Sequence, residues 1–292
     1  MTMGEMIKGI LKEDSELKKL LSVYHSEPAV FEDTAFLDEA GYEQNNKYPY
    51  IIVTVSESEN PKRQDQGSLT IRIFDKAGEG CTDEIEKAVK RCLHYLFIKP
   101  YYVPVTFRWY RTKEVIPYPC NATPDENVKR VDLHFDRFIF PNQETADPDP
   151  VIALQRHLKE FFPEAVFLGT DDFGEMKYGD SQNSLIYCTL KRTRRGEETH
   201  AVTWLDSDVT IQVMNASFEY RQKVLTAILH VLSAGDEVNT LNGIPMFVKT
   251  LEVDYKADIF TQGQLQITFH YGLSRYTAKP HILSGVQVTY TL

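Results

Sequence analysis

The chain repeats itself, and this constrains its fold more than any single motif, because a recurring order of segments defines the unit that must fold. Pro28-Ala29-Val30-Phe31 returns as Glu164-Ala165-Val166-Phe167. Ile51 to Val55 is matched by Ile186 to Leu190, and Leu69 to Phe74 by Val209 to Met214. The last pair alternates as a strand with one buried face does. A helical segment comes next in each case: Ala88, Val89, Cys92, Leu93, His94 and Leu96 fall on Val224, Leu225, Ile228, Leu229, His230 and Leu232. Their apolar positions recur at the i, i+3, i+4, i+7 spacing of an amphipathic helix. Val103 to Phe107 then matches Ile244 to Val248, and Val131, Leu133 and Phe135 match Leu265, Ile267 and Phe269. The order is kept throughout, at a spacing of about 135 to 140 positions.

Each copy reads helix, strand, strand, helix, strand, strand. The expected fold class is therefore α+β: two tandem copies of a small domain, each a mostly antiparallel sheet covered by two helices. Copy one is assigned residues 1–145 and copy two residues 146–292. The boundary lies in the polar, proline-rich stretch from Pro141 to Pro150. Asp149 and Pro150 suit the N-cap and first position of the helix that opens copy two, while Ser217 and Gly235 suit the two ends of its second helix. The longest polar stretches divide the same two strands in both copies, Glu57 to Gly67 and Lys191 to Thr199, and are expected to be long loops.

Composition excludes several classes of function. With 42% hydrophobic and 25% charged residues, the 292-residue chain has the make-up of a globular protein. It has no apolar run near the roughly 18 residues of a membrane helix. The N-terminus lacks the layout of a secretory signal, so synthesis and retention in the cytoplasm are expected. Cys81, Cys92, Cys120 and Cys188 form no Cys-x-x-Cys pair and are expected to be reduced thiols. A net charge of −10 opposes general coating of nucleic acid.

The sequence is poor in catalytic constellations. Asp132, His134 and Asp136 alternate along one strand as metal ligands would, but they lie opposite Val131, Leu133 and Phe135, so a solvated strand face is expected and no metal site is assigned. His94 and His230 sit at the polar edges of their apolar stripes and read as structural. His157 and Glu160 lack the second histidine of His-Glu-x-x-His, and Gly169 to Gly174 fits neither a dinucleotide nor a phosphate-loop pattern. No catalytic residue, metal or cofactor is expected, and the chain is not read as an enzyme. The remaining charge cluster is Lys191, Arg192, Arg194 and Arg195, with a weaker counterpart in Lys62 and Arg63. It reads either as a solvated loop balanced by Glu197 and Glu198, or as a contact with an acidic partner or DNA.

The strand Tyr48 to Val55 after an N-terminal helix, then the strand Leu69 to Phe74 leading into the helix Asp83 to Phe97, resembles the tail terminator and tail completion proteins of long-tailed bacteriophages. The resemblance runs once per copy over nearly the whole chain. It implies a non-catalytic virion protein that forms a ring at the head-tail junction. Such a ring caps the tail tube protein, docks the head-tail connector protein and lets DNA pass through its lumen. The family's usual single domain is doubled here, so three chains or six would close the ring. The long polar stretches and the link Glu114 to Lys129, with Tyr118, Pro119 and Cys120, are then the expected contacts. Competing readings are another neck, connector or baseplate component, and an enzyme whose site combines His94, His230 and acidic side chains between the copies.

Overall fold

A computed structural model describes residues 2–33, 48–56, 67–76, 80–99, 103–118, 128–141, 149–171, 176–177, 184–215, 217–235, 237–260 and 262–275. The fold is mixed α+β in two compact units. Unit 1 comprises Met1–Asn142 together with Gly169–Gln182, and unit 2 comprises Gln143–Leu168 with Asn183–Leu292.

Unit 1 opens with α1 (Met3–Glu13) and α2 (Leu17–Leu20), followed by the short hairpin β1 (Val23–Tyr24) and β2 (Glu27–Pro28) and by β3 (Val30–Glu32). Then come β4 (Tyr50–Ser56), β5 (Ser68–Lys76), α3 (Thr82–Leu93), β6 (Leu96–Ile98), β7 (Val105–Tyr118) and β8 (Val128–Ile139). Unit 2 is built from α4 (Pro150–Phe161), β9 (Val166–Phe167), β11 (Leu185–Glu198), β12 (Val202–Met214), α5 (Phe218–Ala234), β13 (Glu237–Asn239), β14 (Pro245–Val253) and β15 (Leu265–Ser274). Between β9 and β11 in sequence lies β10 (Met176–Lys177), which belongs to unit 1 and pairs antiparallel with β6.

The sheet orders are β10-β6-β7-β8-β5-β4-β3 and β13-β14-β15-β12-β11-β9. Without β10 they correspond strand for strand, down to the one parallel pair at the end of each, β3 with β4 and β9 with β11. Registers agree in the middle of the sheets: Ile51 pairs with Ile73 as Ile186 pairs with Val213, and Val53 with Ile71 as Cys188 with Ile211.

Local chemistry accounts for the helix starts. Thr2 and Glu5 form a reciprocal capping box on α1. The Asp149 carboxylate accepts from Val151 N at 2.9 Å and Ile152 N at 3.0 Å, with Pro150 at the first helical position. Ser217 accepts from Tyr220 N at 3.2 Å, and Gly235 closes α5. In unit 1 one core joins Ile7 and Leu11 of α1, Leu17 of α2 and Ile85, Val89 and Leu93 of α3 to Leu69, Ile71 and Ile73 of β5. In unit 2 Leu154 and Leu158 of α4 and Leu225, Ile228 and Leu232 of α5 join Val209, Ile211 and Val213 of β12.

Three sequence matches are corrected. Val30 pairs with Ile51 and Phe167 with Ile186, so Val30 corresponds to Phe167 rather than to Val166. Both are buried while Phe31 and Val166 are only partly so; a one-residue slip would exchange the faces. Phe135 pairs with Leu69 and Ile267 with Val209, so the last strands match two residues away from the sequence alignment. A shift of two preserves the inward phase, which is why alternation alone did not reveal it. Third, the helix expected from Asp83 to Phe97 stops at Leu93. Tyr95 takes the left-handed conformation (φ 58°), Trp109 N donates to His94 Nδ1 at 3.0 Å, and Leu96 enters β6, whereas Leu232 remains helical.

Truncating either central isoleucine removes a fully buried side chain from one core. Ile71→Ala and Ile211→Ala are each expected to cost about 2–5 kcal/mol in chemical denaturation, against less than about 0.5 kcal/mol for a substitution at exposed Thr250.

Candidate functional site

The basic cluster Lys191, Arg192, Arg194 and Arg195 lies on β11, not in a loop. β11 and β12 pair as far as Glu198 with Thr203. Thr199 closes their hairpin: its N–H donates to Val202 O at 2.8 Å, and its hydroxyl accepts from Val202 N at 2.9 Å. The polar composition belongs to strands that run on past the core, where a strand has no need of an apolar face. Lys62 and Arg63 lie outside the described residues, as do residues 57–66 of the first polar stretch. Of the link Glu114 to Lys129, the two ends are strand, in β7 and β8, and residues 119–127 lie outside the described residues.

A bulge decides where the arginines point. Leu190 pairs with Val209 and Arg192 with Asp208, leaving Lys191 as the extra residue. Before the bulge the even-numbered Ile186 and Cys188 are core residues of β11. After it, Arg192 stands beside Asp208 on the polar face. Thr193 meets Ser207 on the other face, hydroxyl to hydroxyl at 2.9 Å, and Ser207 in turn meets Tyr271 Oη at 2.9 Å. Were β11 regular here, Lys191 would pair with Asp208, and Arg192 and Arg194 would fall on the core side. A second bulge, between Val248 and Thr250 of β14, makes Lys249 the unpaired residue, and its ammonium donates to Asp206 at 2.7 Å.

The resulting face centres on two carboxylates of β12. Asp208 accepts from Arg192 Nε, from Arg194 Nη2 at 3.1 Å and from Thr268 Oγ1 at 2.8 Å. Asp206 is held by Lys249 and by His270 Nδ1 at 2.8 Å. The His270 ring stacks on Trp204 with centroids 4.6 Å apart and planes 5° from parallel. Gly272 lies against Val202: a Cβ there would come within 2.7 Å of Val202 Cγ1, whereas the Trp204 ring, at 3.5 Å, would be at ordinary contact distance. Arg195 pairs with Glu198 and is exposed, while Lys191 has no hydrogen bond or ion pair to the described residues, and desolvation lowers its pKa.

The Lys249 hydrogen bond, with that of His270, holds Asp206 below the usual carboxylate range against the opposing effect of burial. At Asp208 burial raises the pKa, and the bonds from Arg192 and Thr268 outweigh it, so the net direction is again down. These carboxylates are anchors for the basic side chains rather than proton carriers at neutral pH. The arginines remain about half exposed or more.

The corresponding face of unit 1 corrects another expectation. Asp132 and Asp136 are each only 4% exposed, not solvated. Arg130 clasps Asp132 through Nε at 2.7 Å and Nη2 at 2.5 Å, Arg108 reaches Asp136 at 3.3 Å, and His134 Nδ1 lies 3.4 Å from Thr70 Oγ1. Each of the three side chains thus has a protein partner of its own. His94 accepts a backbone N–H and its pKa is lowered by burial, then by Arg108 and Lys90, whereas His230 is exposed on α5; the two equivalent histidines share no role. Cys81, Cys92 and Cys188 are free thiols, and Cys120 lies outside the described residues.

The acids Asp206 and Asp208, together with Lys249, Trp204 and His270, were not identified from sequence. The alternation Trp204, Asp206, Asp208 on β12 was a signal for part of this face, but nothing local marks the bulges. Among the described residues no helix is long and apolar enough to cross a membrane. No protein-family model matches the sequence, and no curated protein matches it significantly.

Because Asp206 and Asp208 titrate below their unfolded value of about 3.9, the stability they contribute is complete above that pH and is lost as pH falls through the folded values. Hydrogen exchange should show amide protection of β11 and β12 beyond Leu190 weakening below about pH 4. Asp208→Asn should cost roughly 1 kcal/mol at neutral pH and shrink that acid-dependent step.

Proposed function

We propose that the chain is a non-catalytic structural subunit of a phage or phage-like tail, forming a ring that caps the tail tube at the head-tail junction. The observation that carries this reading is the duplication: both units use one sheet order, including the parallel strand at one edge. A building block repeated within a chain suits a ring, since three chains would supply six such units and six chains twelve. In the finer form of this reading, each unit is the terminator-like domain whose sheet is covered by two helices. The tail tube protein and the connector are its partners, and the virion is its location.

The exposed guanidinium groups of Arg192, Arg194 and Arg195, with Lys191, support a contact with DNA in the lumen or with an acidic partner surface. Lys62 and Arg63 would be the counterpart in the first unit. Against a net charge of −10, such a patch acts locally rather than as a coat.

Light scattering of the purified protein, with negative-stain imaging of the same sample, tests the ring. The expected result is a particle of three or six chains around a central opening; a closed twofold dimer without an opening would overturn it. Replacing Arg192, Arg194 and Arg195 by Ala should leave the ring intact and weaken the salt-dependent retention of DNA by it.

A further inference from the structure

The two sheets match strand for strand except at one edge. In unit 1 the edge of β6 is taken by β10, a two-residue strand from the connection after β9 in the second repeat. In unit 2 the strand in the place of β6 is β13, and among the described residues β13 has β14 as its single neighbour. The equivalence is fixed by register: Phe97 pairs with Thr106 in unit 1, and Glu237 with Phe247 in unit 2.

Burial differs sharply at these matched pairs. Phe97 and Thr106 are both 0% exposed, whereas Glu237 is exposed and Phe247 is 42% exposed. Leu241, in the turn between β13 and β14, is likewise 42% exposed. A strand edge left without a neighbour among the described residues, beside two exposed apolar side chains, is a ready template for strand addition.

We propose that the β13 edge of unit 2 receives an extended segment from the first unit of a second copy of this chain, in the place that β10 occupies on β6. The internal duplication selects this occupant. The segment on β6 comes from the opposite repeat, and the equivalent donor for β13 is therefore a first repeat. Among the described residues the chain's own first repeat does not supply it. Because the donor and the acceptor are different surfaces, the contact either passes head-to-tail from copy to copy, the type of interface that closes rings, or is exchanged reciprocally within a pair. The inference deepens the ring reading and rests on it in one respect, that copies of this chain assemble.

The hydrogen-bond pattern provides a clean perturbation. Thr240 N donates to Ile244 O at 2.9 Å, so Thr240 and, two residues back, Val238 face β14. Asn239 lies opposite Pro245, which has no N–H, in a pair without hydrogen bonds. The Asn239 backbone N–H therefore points to the open edge. Asn239→Pro removes that donor and spares the β13–β14 bonds, and Phe247→Lys changes the exposed apolar surface without touching a backbone group.

Sedimentation equilibrium on the full chain, with melting of each variant as the check on folding, tests the proposal. Both variants are expected to melt as wild type and to weaken self-association by about tenfold or more. If wild type assembles and the folded variants assemble equally well, the proposal is overturned while the ring reading stands. If wild type forms a closed dimer without an opening and both variants abolish it, the proposal stands and the ring reading falls. A wild-type chain that stays monomeric at its highest soluble concentration overturns the proposal. Should Asn239→Pro fail to fold, Phe247→Lys alone decides.

Discussion

Everything in each unit hangs on one central strand, β5 or β12, hydrogen-bonded on both sides and apolar on alternate residues. Leu69, Ile71 and Ile73, or Val209, Ile211 and Val213, give the helices a surface to bury. The same pleat sends the intervening residues to the other face. The chemistry of that other face then differs between the units. Unit 1 places its acids on β8, as Asp132 and Asp136, and buries them against arginines. Unit 2 places its acids on β12, as Asp206 and Asp208, and leaves the paired cations half in solvent. The two units share the core chemistry and differ on the second face.

Bulges convert a plain sheet into a specific surface. A single extra residue reverses strand parity: the insertion at Lys191 re-aims the rest of β11, and the one in β14 turns Lys249 itself toward Asp206. The arginines owe their exposure to this parity change and their orientation to the carboxylates beside them. Pre-positioned guanidinium groups lose less freedom on meeting a partner than free ones would.

The same economy appears at the sheet edges. β6 is closed by β10 from within the chain, while its counterpart β13 has no second neighbour among the described residues and lies beside the exposed Phe247 and Leu241. A monomer in which two equivalent edges are treated differently has broken its internal symmetry at one defined place.

Periodicity, capping and repetition are local, and they were legible in the chain itself. The period of two in Leu69 to Phe74 and Val209 to Met214, the helical spacing from Ala88 to Leu93, the Asp149-Pro150 start and the Ser217 and Gly235 ends all arise from interactions within a few residues. They determined the element types, most of their order and the duplication. Register, bulges and pairing partners depend on residues far apart in sequence, and only the tertiary structure decided them. Val30 rather than Phe31 faces the core because of where it meets Ile51. Arg192 meets Asp208 because one residue is inserted at Lys191. β10 joins the sheet of unit 1 although its sequence lies between strands of unit 2, because a two-residue strand carries no pattern of its own and is defined wholly by the edge it meets.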